Sequence, residues 1–444
     1  YGLPQSPKEW SDLFNRTMLG GFELGGRTVN FKALTADQCV YMLNVEYEDE
    51  KHQILVSYYV DDVLSCATHP DLNGWLRREL AKRFTINANE TGEASFLLGF
   101  AIDLKKDDDG RLQSAKLTQH AHIERLAKLL DADGYTGRTQ TPMVKDIDVG
   151  PPKPEDVVVN PNINGVSYRS VIGALLYISL TTRPDIAYAV GALARRANGP
   201  SKVHVAAAER VVRYLLYTKH RGIVYTRPDR GASREGVPEV FMKSKHPNEP
   251  DEPLESRHEP LEASADAAFA DCPHTRRSTS GWFVSLHGGP ISWSSRLQNT
   301  VATSTCQSEI NAAVECTKEL KSVQLFLHEV GYDQAVINPC VIHEDNRAAL
   351  LMASQLKSSK NAKHFQVRLR WLQEQVRGKH VKFSYIPTKF QLADLFTKPL
   401  DRERFNFLMD AMLGDPDSVL EFPVSPESSA NWDSGGGRAG PSAE

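Results

Sequence analysis

The chain has 444 residues, with 52 Lys and Arg against 56 Asp and Glu for a formal net charge of -4, and 41% of it is hydrophobic. That is enough for roughly two to three globular domains with real cores. Its six cysteines (Cys39, Cys66, Cys272, Cys306, Cys316, Cys340) include no CxxC, which argues against a zinc knuckle or a disulfide framework and for free thiols in a reducing, intracellular setting; the longest apolar run, around Val171 to Leu180, is far short of the ~20 residues that cross a bilayer.

The first strong element in chain order is Lys51 to Thr68, KHQILVSYYVDDVLSCAT. At period two, Ile54, Val56 and Tyr58 share one face and Leu55, Ser57 and Tyr59 the other, and Val63, Leu64 and Cys66 resume the apolar run. This predicts a β-hairpin with Asp61 and Asp62 at its tip. Two adjacent carboxylates repel each other, so they are either solvated as ordinary turn residues or held by a hard cation such as Mg2+.

Farther on, the proline-rich loop Lys145 to Pro161 separates this region from a helical one. Basic residues then cluster at Arg210, Arg213, Lys219 and Arg221, and again at Lys357, Lys360, Lys363, Arg368 and Arg370, each cluster open to two readings, a phosphate track or a solvated helix face. Residues 227–263 are rich in Pro, Gly, Ser and acid, and are expected to be a flexible linker, as the tail 415–444 is expected to be disordered.

Between them, Ser264 to Asp271 reads as a strand, and Arg276 to Arg296 as two more joined at Gly288-Gly289. A helix follows from Cys306 to Gly331, then a buried strand ending at Asp345, a short helix from Arg347, and a longer helix over about Ala362 to Val376. The strand His380 to Pro387 and a last helix opened by FQLADLFTKPL complete the series. The order βββ-α-β-α-α-β-α suits an α/β layer with a mixed central sheet.

The words in this chain are specific. YVDD (Tyr59, Val60, Asp61, Asp62) resembles the metal-binding hairpin of reverse transcriptases. YGLPQSPKEW at Tyr1 to Trp10, FLLGF at Phe96 to Phe100, DDDG at Asp107 to Gly110 and TPM at Thr141 to Met143 fall in the order seen in the Pol polyprotein of copia-type LTR retrotransposons. Tyr168 to Val190 and Ala207 to Tyr225 are similar to the same family's connecting region, and residues after 263 to its ribonuclease H domain. The resemblance implies an α+β palm remnant followed by a ribonuclease H-like α/β fold, divided as partial palm and thumb 1–144, connection 145–226, linker 227–263, nuclease 264–414 and tail 415–444.

It also implies a chemistry. Family ribonucleases H use four carboxylates to hold two Mg2+ ions, with Mn2+ able to substitute, and hydrolyse the RNA of an RNA-DNA hybrid. The positions that match are Asp266, Glu309, Asp345 and Asp394. Taken as residues alone, each has an ordinary reading too: a strand-end Asp, a solvated Glu, a helix N-cap at Asp345, and a helix-dipole partner at Asp394 in the first turn of the closing helix. Arg276 and Arg277 are expected to contact the hybrid backbone, and Lys363 and His364 match the family's KH pair, although Gln366 stands where an acid usually follows. Ala268, Gln307 and Pro4 depart from family words without touching the four acids.

Implied partners are the hybrid, a template-primer, and the other Pol parts, such as integrase and the missing palm and fingers; no membrane is among them. Cytoplasmic virus-like particles or the nucleus are the places the family suggests. A polymerase carboxylate that the family carries upstream of YGL has no counterpart here, so no DNA synthesis is expected from this chain alone. The alternative to a working nuclease is a dead or co-opted relic that binds nucleic acid without cutting it.

Overall fold

Alternating apolar residues and a tight turn build the first sheet. In the computed structural model, which describes residues 5–87, 91–227, 260–336, 339–354 and 365–414, the N-terminal unit runs α1 (Ser6–Leu19), β1 (Phe22–Leu24), β2 (Arg27–Val29), β3 (Lys32–Ala33), β4 (Val40–Tyr47), β5 (Glu50–Tyr59), β6 (Asp62–Ala67) and α2 (Pro70–Ala81). Strands β3-β4-β5-β6 form an antiparallel sheet. Ile54 and Val56 of β5 and Phe14 and Met18 of α1 fill its core with Tyr41, Leu72 and Leu76, as the period-two reading of β5 requires.

The middle unit comprises β7 (Phe96–Leu97), β8 (Phe100–Lys106), β9 (Leu112–Thr118), α3 (His120–Leu129), β10 (Asn162–Ile163), β11 (Val166–Ser167), α4 (Tyr168–Thr181), α5 (Ala187–Ala194), α6 (Lys202–Tyr217) and β12 (Ile223–Thr226). Helix α4 opens on the Ser167 hydroxyl, which accepts from the Ser170 amide, and α6 on a capping box between Ser201 and His204. Strand β12 pairs with β9 in the sheet β12-β9-β8-β7, so the expected boundary at residue 144 cuts across one sheet. Backbone pairing over a long sequence gap is invisible to a local reading of loops.

Arg183 is fully buried in this unit. It donates to both oxygens of Asp185 (2.9 and 2.7 Å), to the Thr218 carbonyl (3.1 Å) and to the Thr218 hydroxyl (2.7 Å). Basic residues of α6 and the turn after it also have partners: Arg210 donates to Thr141 (2.9 Å), Lys219 to Glu124 (2.7 Å), and Arg221 lies 3.3 Å from Asp410. Arg213, the fourth of the cluster, is exposed and lies 3.4 Å from Glu209, so the cluster is partly engaged in structural contacts.

The C-terminal unit holds β13 (Leu261–Ala268), β14 (Thr279–Leu286), β15 (Gly289–Leu297), α7 (Thr305–Glu329), β16 (Cys340–Glu344), α8 (Arg347–Ser354), α9 (Gln366–Arg377), β17 (Val381–Tyr385) and α10 (Arg402–Leu413). Its five-stranded sheet is mixed, in the order β15-β14-β13-β16-β17, with β13, β14 and β15 antiparallel and β13, β16 and β17 parallel. The chain is thus α/β. Strand β13 starts at Leu261, not Ser264: Leu261 and Glu262 pair with Leu286 and Ser285, which shortens the expected linker. The turn joining β14 and β15 is His287-Gly288, with Gly289 already opening β15. Most of the linker and the whole tail 415–444 lie outside the described residues.

Helix α7 covers one face of β13, where Leu261, Ala263 and Ala265 point. A 3-10 segment, Leu392–Phe396, covers the other, so both faces of the strand are buried. Helix α10 packs away from this core: Phe405, Leu408, Met409, Met412 and Leu413 join the middle unit's core with Tyr214 and Val211.

Candidate functional site

Asp266 lies near the C-terminal end of β13, opposite Gly281 of β14, and is 3% exposed. Its Oδ2 accepts the Thr397 hydroxyl at 2.5 Å. Glu309 stands in the second turn of α7. Ser304 caps that helix by accepting from the Gln307 amide (3.1 Å), and Ala313, Cys316 and Leu320 seat it on the sheet, which turns the acid inward at 6% exposure. Asp345 follows β16 directly and is half-buried. It is not the cap of α8; the Asn346 side chain is, accepting from the Ala349 amide at 3.0 Å.

Asp266, Glu309 and Asp345 each offer an oxygen to a common point, with these atoms all within 4.8 Å of one another. Glu309 Oε2 is buried without a hydrogen-bond partner. Burial above all, then the negative charges of Glu344, Asp266 and Asp345, push its carboxyl well above the usual range, while Lys398 pulls it down. The Asp345 carboxyl is raised as well, by burial and by Asp266. Crowding and burial thus favour the protonated forms of Glu309 and Asp345, and a hard divalent cation would let them ionise.

Asp394 stands outside that trio. It sits in the 3-10 segment rather than in the closing helix, because α10 starts only at Arg402, capped by Asp401, which accepts from the Arg404 amide (3.0 Å). The Asp394 side chain is fully buried and already neutralised. Arg404 donates to its Oδ2 and, at 2.6 Å, to the Thr388 carbonyl; Lys398 Nζ lies 2.6 Å from its Oδ1, an ion contact without hydrogen-bond geometry.

Glu344 was not among the sequence candidates. It is fully buried, its Oε1 accepts from the Asn346 amide (3.0 Å), and its Oε2 has no partner. Burial first, and then Asp345 and Asp266, raise this carboxyl well above the usual range against the pull of the Asn346 amide. The signal was present in the sequence: Glu344 is in phase with Cys340 and Ile342, the core-facing positions of β16.

At the other candidate, Tyr59 pairs with Asp62 and the turn is made by Val60 and Asp61, with Val60 in the left-handed region at φ 55°. Trp10 donates to the Val60 carbonyl. Tyr59, Val60, Asp61 and Asp62 are exposed, and among the described residues neither acid joins a group of three possible metal ligands. Arg276 (φ 52°, exposed) and Arg277 occupy the loop between β13 and β14, closed by the Arg276 amide donating to the Cys272 carbonyl at 2.8 Å. Lys363 and His364 lie outside the described residues.

Comparison with known proteins gives a coherent set of relatives. The chain is 28% identical over 406 residues to the retrovirus-related Pol polyprotein from transposon TNT 1-94 of Nicotiana tabacum, covering 91% of this chain and 27% of that protein. It is 26% identical over 405 residues to the retrovirus-related Pol polyprotein from transposon RE1 of Arabidopsis thaliana, covering 91% of this chain and 24% of that protein. A shorter relative, secreted RxLR effector protein 161 of Plasmopara viticola, is 35% identical over 157 residues, which are 35% of this chain and 91% of that protein. No protein-family model matches. The chain spans about a quarter of the length of the Pol polyproteins it matches.

Proposed function

We propose, from the premise that the chain belongs to the retrovirus-related Pol polyproteins of transposons, that its C-terminal unit is a ribonuclease H, an endonuclease for the RNA strand of RNA-DNA hybrids. The observation that carries this reading is the convergence of Asp266, Glu309 and Asp345, brought by a strand, a helix and a strand end to within 4.8 Å. Three carboxylates and an orphaned buried oxygen at Glu309 suit Mg2+, or Mn2+ in its place.

When bound, a pair of such ions would activate the attacking water and support the departing 3′ oxygen. Asp266, Glu309 and Asp345 would hold the first, and Asp394 would share the second with Asp266. Thr397 orients Asp266 through its hydroxyl, and Arg404 keeps Asp394 in place. Arg276 and Arg277 are suited to hold the hybrid backbone, with recognition by duplex shape and 2′-hydroxyls rather than by base sequence.

For the N-terminal unit, which resembles part of a polymerase palm, the reading is different. Asp61 and Asp62 stay exposed and without a third acid among the described residues, so this chain is proposed not to synthesise DNA by itself. Template-primer binding and polymerisation would belong to the larger parent protein, together with its other Pol parts.

The rival, a relic that binds nucleic acid without cutting it, has one observation in its favour: Asp394 is already satisfied by Arg404 and Lys398. The two readings separate on a labelled RNA-DNA hybrid incubated with the purified chain and Mg2+ or Mn2+. Cleavage that disappears in Asp345→Asn supports the nuclease. Hybrid binding by a folded chain without cleavage, unchanged in Asp345→Asn, supports the relic.

A further inference from the structure

Lys398 is held where a cation is expected. Its Nζ lies 2.6 Å from Asp394 Oδ1 and 3.7 Å from Asp266 Oδ2, bridging the two acids. The other oxygen of Asp394 is taken by Arg404, whose guanidinium is half-buried and tied to the Thr388 carbonyl. A divalent ion that approaches Asp394 must therefore take Oδ1 from Lys398.

The two cationic side chains differ in how easily they can leave. Arg404 comes from α10, whose apolar face is packed in the middle unit's core. Lys398 has a flexible four-carbon stem, and its side chain is 37% exposed, so it can swing into solvent without disturbing the fold. The trio of Asp266, Glu309 and Asp345 is not closed off in this way: Lys398 touches only its Asp266 edge, and Glu309 Oε2 has no partner at all.

We propose that Lys398 is a built-in counter-cation for the Asp394 side of the site, so that divalent ions load in two unequal steps, first on Asp266, Glu309 and Asp345 and then, by displacing Lys398, between Asp266 and Asp394. This rests on the metal-site reading given above. An ion that binds the trio draws on Asp266 and weakens its hold on the ammonium, so the first ion prepares the release of Lys398. At low divalent concentration the chain then holds one ion and an internal lysine, and full loading is reserved for higher concentration.

The test is Mn2+ binding to the full chain, followed by the electron paramagnetic resonance of free Mn2+ and by calorimetry, with no substrate present. The wild type should show two sites at least tenfold apart in affinity. Lys398→Gln should tighten the weaker by fivefold or more and leave the stronger within threefold; Lys398→Arg, which keeps the charge, should behave as the wild type. Asp345→Asn should remove the stronger site. One site in the wild type and two in Lys398→Gln would also support the proposal. Two equal sites in the wild type, an unchanged weaker site in Lys398→Gln, or tightening in Lys398→Arg would overturn it while leaving the metal site standing. No Mn2+ bound in either wild type or Lys398→Gln would overturn the metal site itself, and this proposal with it.

Discussion

Gly281 determines how closely the segment bearing Asp394, Thr397 and Lys398 approaches Asp266, and Gly281→Ala is therefore an incisive perturbation. A methyl group there would stand 2.6 Å from Thr397 Cγ2, 2.7 Å from Phe396 Cβ and 2.9 Å from the Ala393 carbonyl oxygen. Ordinary carbon contacts lie at roughly 3.5–4.0 Å, so the segment must retreat by about 1 Å, and as a body, since all three contacts belong to it. Overpacking of this kind costs about 1–3 kcal/mol, equivalent to a Tm lower by a few degrees in a chain of this size. The site should suffer more. Displacement of a catalytic group by about 1 Å can cost 10²-fold in rate, so hybrid cleavage is expected to fall about a hundredfold in a chain that still folds. Gly173→Ala is the matched control: it lies within α4 with nothing within 4 Å of an added methyl, and should gain roughly 0.5–1 kcal/mol with unchanged cleavage. Thermal melts and initial cleavage rates measured together decide the matter, and a Gly281→Ala chain that melts and cleaves as the wild type does would refute the reasoning.

Other residues give independent checks. Glu344 and Glu309 hold raised carboxyl pKa values, so the folded state keeps protons that the unfolded chain releases above about pH 4.3, and these groups favour folding less as pH rises. In EDTA, Glu344→Gln should therefore gain stability relative to the wild type as pH rises toward 8, and the gap should narrow toward pH 5; a gap independent of pH would contradict this. Arg183→Met leaves Asp185 buried without its cation and should cost about 3–5 kcal/mol in denaturant titrations. Asp61→Asn, on an exposed hairpin tip, should change stability by no more than about 0.5 kcal/mol and leave hybrid cleavage untouched.

How much of this was written in the sequence differs from residue to residue. The hairpin around Asp61 and Asp62 was legible because period two and a turn are local properties, and so was the order of elements after β13. Asp266, Glu309 and Asp345 were legible as a set because their surrounding words resemble a family, and Glu309 also because Ala313, Cys316 and Leu320 share its helical face. What escaped depended on partners far along the chain. The first residues of β13 are a strand only because Leu286 and Ser285 pair with them. The state of Asp394 is set by Arg404, on a helix of its own, and Arg210, Lys219 and Arg221 find partners in Thr141, Glu124 and Asp410 from three separate segments. Glu344 was overlooked for a different reason: an acid in phase with core positions reads as an exception to the pattern until its neighbours are seen.

The placement of α10 has a mechanical meaning. The last helix of the C-terminal unit grips α6, with Phe405 against Tyr214 at 5.8 Å between ring centroids and Arg221 reaching Asp410. Trp293 on β15 donates to the Ser179 carbonyl (2.8 Å) and Tyr225 to the Pro290 carbonyl (2.6 Å), which fastens the same seam from the sheet side. The two units are buckled rather than strung together. A chain severed between Thr226 and Leu261 should therefore migrate as one particle under native conditions and separate only when denatured, whereas a fragment starting at Leu261 would carry the bare apolar side of α10 into water and be prone to self-association.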